Sequence, residues 1–309
     1  MNIQSNGENR SISQENPHMF AGILLAIGAA LGFSAKAIFV KLAYTYHVDA
    51  ITLLMFRMAF ALPFFLLIAV LEERKAKAPV GAKNMMLIMG LGLIGYYLSS
   101  LLDFVGLQYV SAGLERLILF IYPTMVVILS AIFFGKRIHK AAIIALILSY
   151  IGIAMAMLHD IQLSGENVLL GSMMIFGATL TYSVFLVGSG EVIPRVGAKR
   201  FTAYAMIVSC LAVFVQFALL RGIEHFDQPV AVYGYGLAMG IFSTVIPAFL
   251  LASAIHRIGA SYASIIGSLG PVATIGMAII FLAEPVSLIQ ILGASCVIGG
   301  VFILGMKKG

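Results

Sequence analysis

Tryptophan is absent from this chain of 309 residues, cysteine occurs twice, and charged side chains make up only 10% of it. Each scarcity excludes something. A soluble globular domain is about 25% charged, so a chain that is 61% hydrophobic with a mean hydropathy of +1.05 is not one. Cys210 and Cys296 lie inside apolar runs and lack the spacing of a metal or redox pair. They read as small buried hydrophobes and say nothing of redox compartment. The six histidines, His18, His47, His139, His159, His225 and His256, are scattered one per tail, loop or helix end. No paired-histidine metal motif of a membrane-embedded enzyme arises from them. No glycine-rich run has the preceding strand and following lysine of a phosphate loop, which removes nucleotide hydrolysis as a power source. The sequence therefore predicts no metal site and no cofactor. Without tryptophan, interfacial anchoring falls to Tyr, Lys and Arg.

What is present is apolar length. A membrane-spanning helix needs about 20 predominantly apolar residues. Ten such runs occur, at 20–43, 50–71, 84–107, 111–134, 138–158, 168–190, 201–220, 231–255, 259–282 and 287–306. Residues 1–19 are polar, without the apolar stretch of a cleaved signal, and read as a tail ahead of a retained span. Basic residues orient the chain. With the N-terminus in the cytoplasm, fourteen Lys and Arg fall inside, among them Arg74, Lys136, Arg137, Arg200 and Lys307, and only Lys41 and Arg221 fall outside. Both termini are then cytoplasmic. The net charge of +6 is thus a matter of orientation, and no nucleic-acid partner is implied.

The chain also repeats itself. Without a gap, 110–154 aligns on 258–302, placing Ala112 on Ala260, Pro123 on Pro271, Ile132 on Ile280 and Gly152 on Gly300. Upstream, 22–34 lies on 171–183, with Gly28 on Gly177 and Ser34 on Ser183. Each half, 20–158 and 168–306, holds five runs. Five is odd, so the second half must sit inverted in the bilayer relative to the first, a ground plan of secondary transporters. The fold class expected is an all-α integral membrane protein of ten transmembrane helices in two inverted five-helix repeats.

Against this apolar background Lys36, Arg57, Asp103, Glu115 and Arg116 stand out. A charge at a helix centre costs about 2.5–3.5 kcal/mol on insertion scales, so these residues need water or partners. In the predicted topology all five lie one to two turns below the outer surface, about 6–11 Å deep at 1.5 Å per residue. Their sum is +1, which leaves one cation for an anionic group such as a carboxylate, and Arg suits that role through its planar fork. The counterparts in the second half are uncharged: Phe185, Met206, Ala263 and Ser264. Structural readings stand beside this. Lys36 can snorkel to the surface, Asp103 can pair with Arg57 or Arg116 to fix helix packing, and Glu115 can serve a helix–helix contact. Asp103 is also a candidate proton carrier. Tyr96, Ser99 and Asp103 share one helix face as a polar stripe, and Tyr182, Ser183 and Tyr262 are cavity candidates in the second half. Pro123 and Pro271, at matching positions, each remove a backbone hydrogen bond and mark a hinge or cavity position.

The run SAGLERLILFIYP followed by FFGKRI, with its echo GASYASIIGSLGPV and FLAEPVSLIQILGASCVIGGV, resembles the EamA family of the drug/metabolite transporter superfamily. The opening LGFSAKAIFVKLAYTYHVDAITLLMFR is similar to that family's first two helices, and the resemblance covers nearly the whole chain. It implies ten helices in two inverted repeats, a central cavity and alternating access in a bacterial inner membrane, moving amino acids, other metabolites or toxic compounds. One departure is visible: the first-half turn reads Gly-Lys-Arg where the family commonly carries an acid, and only Glu284 keeps it. The expected function is a secondary active transporter of a small metabolite, an amino acid or related carboxylate, with protons as a candidate coupling ion and the bilayer as its environment. A channel or sensor without uphill transport, or a membrane-embedded enzyme, are the alternatives.

Overall fold

The computed structural model describes residues 12–76, 78–135, 140–164, 167–267 and 269–306. The basic turn at Lys136 and Arg137, His139, Lys307, Lys308 and the first eleven residues lie outside the described residues. Among the described residues there is no strand. The helical rods are α1 (Ile12–Tyr44), α2 (Ala50–Lys75), α3 (Ala82–Gly92, a π-helical turn Leu93–Leu98, and Ser99–Gly106), α4 (Ala112–Leu119 and Tyr122–Phe134) and α5 (Lys140–Ser164). The second half follows with α6 (Val168–Val196), α7 (Ala198–Leu220), α8 (Val230–Gly240, a π-helical turn Ile241–Val245, and Ile246–Gly267), α9 (Leu269–Leu282) and α10 (Leu288–Met306). Among the described residues seven helices are long and apolar enough to cross a membrane, and Ile143–Leu158, Leu269–Leu282 and Leu288–Gly300 are shorter apolar helices. The tail expected over 1–19 is helical from Ile12.

Local chemistry sets the helix ends. Asp49 caps α2, its carboxylate accepting from the amides of Ile51 and Thr52 at 3.0 and 3.2 Å, while Arg74 and Lys75 oppose the dipole in the last turn. Ser111 caps α4 through the Leu114 amide at 3.0 Å. Glu284, from the far half, accepts from the next free amide, Ala112, at 3.1 Å. Gly135, at φ 63°, ends α4 in the left-handed conformation. Inside the apolar run 111–134 the helix breaks at Phe120 and Ile121, just ahead of Pro123, where the lost backbone hydrogen bond was expected to allow a kink or local unwinding. The boundary expected between 255 and 259 is not a loop, since Ile246–Gly267 is helical throughout. The alignment explains this: Gly259 stands where the first half has the capping Ser111, and Lys136 stands where the second half has Glu284. Nothing at Gly259 competes with a continuing helix in the way the Ser111 side chain does.

The halves exchange equivalent contacts. α1 packs on α8 as α6 packs on α3, and α1 meets α9 as α6 meets α4, while α2 pairs with α7 and α5 with α10. The π-turns obey the same relation, because Leu93 and Ile241 are related by the offset that places Val110 on Ile258. Two pairs of equivalent helices, α5 with α10 and α2 with α7, run antiparallel. Along α5 and α10, Gly152 abuts the Gly293 carbonyl, whereas a Cβ on Gly300 would lie 2.7 Å from the Ala145 carbonyl oxygen. Along α2 and α7, Asp49 pairs with Arg221 at one end (3.1 Å) and Glu73 with Arg200 at the other (2.6 Å). The principal core cluster draws Leu53, Met58 and Phe104 from the first half and Met206, Val213 and Met239 from the second. The outer girdle exposes Leu67, Met86, Ile132, Leu219 and Val230, the apolar exterior that a lipid-facing protein needs.

Candidate functional site

The site begins with Lys36 on α1. Its ammonium donates to the Asp103 carboxylate on α3 and, at 2.8 Å, to Oε1 of Glu115 on α4. The Lys36 side chain is 12% exposed, Asp103 5% and Glu115 0%, so this is a buried ionic triad joining three helices. Lys36 therefore does not snorkel, and the partner of Asp103 is Lys36, not Arg57 or Arg116. Glu115 does serve a contact between helices, but as an ion pair. One oxygen on each acid, Asp103 Oδ1 and Glu115 Oε2, is buried with no hydrogen-bond partner among the described residues. Two carboxylates around one ammonium leave one negative charge over.

Arg57 on α2 is buried and held by neutral groups. Its Nε donates to Thr244 Oγ1 at 3.0 Å and its Nη1 to Ser100 Oγ at 3.4 Å, and the guanidinium lies 5.4 Å from the centroid of the Phe104 ring. Thr244 sits in the π-turn of α8, where its hydroxyl donates to the Met239 carbonyl at 2.9 Å. Widened turns of this kind re-aim side chains and recur at functional positions. Sequence reasoning missed Thr244 and Ser100, because a π-turn leaves no composition signal.

Arg116 is half-buried, and its Nε has no hydrogen-bond partner among the described residues. The guanidinium packs on backbone at Gly270, where an added Cβ would be 2.8 Å from Nη2. Gly270 precedes Pro271, and its carbonyl accepts a hydrogen bond from Ser34 Oγ at 3.0 Å. In the mirror position Ser183 Oγ donates to the carbonyl of Tyr122, the residue before Pro123, at 3.4 Å. Both prolines thus follow a carbonyl gripped by the opposite half, and Thr179 adds a bond to the Ile118 carbonyl (3.3 Å) beside the break in α4. The matched serines carried this signal in the alignment.

Tyr96 and Ser99 are not brought to the triad. The Tyr96 ring stacks obliquely on Phe185 of α6 (centroids 4.6 Å apart), and Ser99 Oγ donates to the Ala178 carbonyl at 2.9 Å. They line the α3–α6 seam, with Tyr182 close to both Phe185 and Tyr122. The side chain of Tyr262 lies outside the described residues. A cleft of about 230 Å³ opens between α4, α5 and α6, lined by Ile118, Tyr150, Ile153, Ser172, Met173 and Phe176, and no charged group enters it. Among the described residues no three His, Cys, Asp or Glu side chains converge on a point that would hold a metal ion.

Comparison with known proteins agrees on the class. The model of the EamA-like transporter family matches twice, at residues 20–158 and 169–306. A protein of Bacillus subtilis (strain 168), the uncharacterized transporter YcbK, is 31% identical over 297 residues, covering 93% of each chain. The uncharacterized transporter YetK of the same organism is 25% identical over 231 residues, covering 73% of this chain and 69% of the relative. An uncharacterized transporter of Archaeoglobus fulgidus is 23% identical over 252 residues, covering 82% and 87%. A solved crystal structure superposes with a TM-score of 0.64 at 15% identity, covering 93% of this chain and 96% of that one, and supports the fold. Two family matches spanning both halves, on an apolar all-helical scaffold that repeats its own contacts, place this chain in the EamA-like transporter family.

Proposed function

We propose that this protein is a secondary active transporter that moves a small carboxylate-bearing metabolite, an amino acid or a close relative, across the cytoplasmic membrane of a bacterium. In this reading ten helices span the bilayer as two inverted repeats, both termini are cytoplasmic, and the substrate site alternates its access between the two sides. Positive charge concentrated at one set of loops supports the orientation. The antiparallel pairing of α2 with α7 and of α5 with α10 supports the inversion.

The observation that carries the substrate class is Arg116. It is a cation inside an apolar bundle whose Nε has no hydrogen-bond partner among the described residues, seated against the backbone of the opposite half at Gly270. A guanidinium held this way offers a fork to a carboxylate. The acidic pair of Asp103 and Glu115, which shares the single ammonium of Lys36, is the group that a substrate's ammonium pole would meet. Serine-to-carbonyl bonds at both prolines tie the site to the places where α4 and α9 can bend.

The test is counterflow in proteoliposomes against a panel of labelled amino acids and organic acids, with thermal shift of the purified protein alongside. The reading expects at least one carboxylate-bearing member to exchange and to stabilise the wild type. Arg116→Ala should lose both responses while keeping its own melting temperature within a few degrees. Exchange of the same member by Arg116→Ala at the wild-type rate would remove Arg116 from the site. Downhill flux without counterflow would favour a channel.

A further inference from the structure

We propose that Asp103 and Glu115 share one exchangeable proton above Lys36, and that this pair is the point at which proton movement is coupled to transport. Its role in coupling rests on the transporter reading above. The proton itself does not, since it follows from the geometry of the triad.

Three features carry it. First, one ammonium serves two carboxyl groups, Asp103 directly and Glu115 at 2.8 Å, and all three side chains are largely withdrawn from solvent. Two ionised acids would share one ammonium, so one buried carboxylate would lack an ion-pair partner of its own, whereas one bound proton matches one carboxylate to one ammonium. Second, each acid keeps one buried oxygen without a hydrogen-bond partner among the described residues, Asp103 Oδ1 and Glu115 Oε2. A proton on either gives that oxygen a hydrogen to donate, and the other acid is a ready acceptor. Third, among the described residues neither neighbouring guanidinium forms an ion pair with either acid. Arg57 is engaged by Thr244 and Ser100, and Arg116 is turned to Gly270.

The other described groups around the pair are directed elsewhere. From α1, the Tyr44 hydroxyl is committed to the Phe104 carbonyl at 2.6 Å. From α2 comes Arg57, with Cys210 of α7 directed to Met58 behind it. α4 supplies Arg116 and Tyr122, and α6 supplies Tyr182, whose ring lies 5.8 Å from that of Tyr122. α9 presents the Gly270 backbone and Thr274, whose hydroxyl donates to the Ser34 carbonyl at 3.4 Å. The proton enters from one aqueous side onto a carboxylate oxygen, is held between the two acids, and leaves to the other side as the carboxylate returns. No covalent bond other than O–H is made or broken. Arrival of a substrate ammonium group beside the acids would favour its release, which links the two movements.

The experiment is infrared difference spectroscopy of the purified full chain through a pH titration, reading the C=O stretch of protonated carboxyl groups. Wild type is expected to show one such group per chain at neutral pH, lost as pH rises. Glu115→Gln and Asp103→Asn should each lack it, because the remaining acid and Lys36 then form a one-to-one ion pair. Lys36→Met should raise the signal about twofold. Absence of the band in wild type, or its persistence in both single variants, overturns the proposal. The outcome is independent of the flux assay: a band without carboxylate exchange leaves the proton site standing and removes the substrate reading, and exchange without a band does the reverse.

Discussion

The first half of the molecule holds an ionic centre where the second half holds an aromatic one. Lys36 on α1 reaches Asp103 and Glu115, while its counterpart Phe185 on α6 packs among Tyr96, Tyr182 and Phe201 with ring centroids 4.6–5.9 Å apart. Around both centres the scaffold is the same. The π-turns, the Ser34 and Ser183 bonds to carbonyls before the prolines, and the small-residue contacts of α5 and α10 all recur. A scaffold that closes around an aromatic cluster in one half does not need ions in the other. The charges are therefore an addition to the fold, which the proposed function assigns to transport.

Breaking one member of the ionic centre gives the largest expected effect. Lys36→Met leaves two acids buried without a cation and should destabilise the protein by about 3–5 kcal/mol, read as a lowered melting temperature in detergent. The charge-free triple variant, Lys36→Met with Asp103→Asn and Glu115→Gln, should recover most of that loss, since it makes the first half resemble the second. On the aromatic side Phe185→Ala, a 4% exposed ring, should cost a comparable 3–5 kcal/mol through the cavity it leaves. It should do so without altering the triad.

The symmetric contacts come next. Gly152→Val and Gly300→Val each push a side chain into a facing backbone carbonyl across the α5–α10 seam, and each should cost about 1–3 kcal/mol. Equal effects would sharpen the symmetry, and a large difference would break it. Helix starts should differ. Ser111→Ala removes the cap on α4 and should cost about 1 kcal/mol, whereas Gly259→Ala, in the middle of a continuous helix, should be neutral or slightly stabilising.

The smallest effect lies at the ends of α2 and α7. At Asp49 burial raises the carboxyl, but hydrogen bonds from Thr52 and Arg221 outweigh it and hold the group below its ordinary value. A depressed folded value means this pair contributes above the usual carboxylate range, and the contribution fades as pH falls through the lowered value. With both side chains under a third exposed, it should amount to about 0.5–1 kcal/mol. Arg221→Gln should remove that part of the acid sensitivity of the melting temperature.

The all-helical, twofold-repeated architecture was legible in the sequence because apolar run length and matched prolines are one-dimensional signals. The five ionisable residues were legible too, since charge stands out in apolar runs. Their pairing was not. Lys36, eight residues before the end of α1, could reach water or the interior, and only the crossing of α1 with α3 and α4 decides for the interior. The stripe of Tyr96, Ser99 and Asp103 assumed a regular 3.6-residue period. The π-turn at Leu93–Leu98 shifts Tyr96 relative to Asp103, while Ser99, in the regular segment with Asp103, bonds the Ala178 carbonyl of α6. Glu284 stood out as the acid kept in only one half, but its use as a cap on α4 of the other half depends on how the halves meet.

The central claim, that the ions serve transport and not the scaffold, is tested most directly by the charge-free triple variant in the counterflow assay, with its melting temperature measured on the same preparation. The account predicts a protein that melts close to wild type and no longer exchanges the panel member that wild type exchanges. Wild-type exchange by a well-folded triple variant would contradict it, and so would a triple variant that melts as early as Lys36→Met alone.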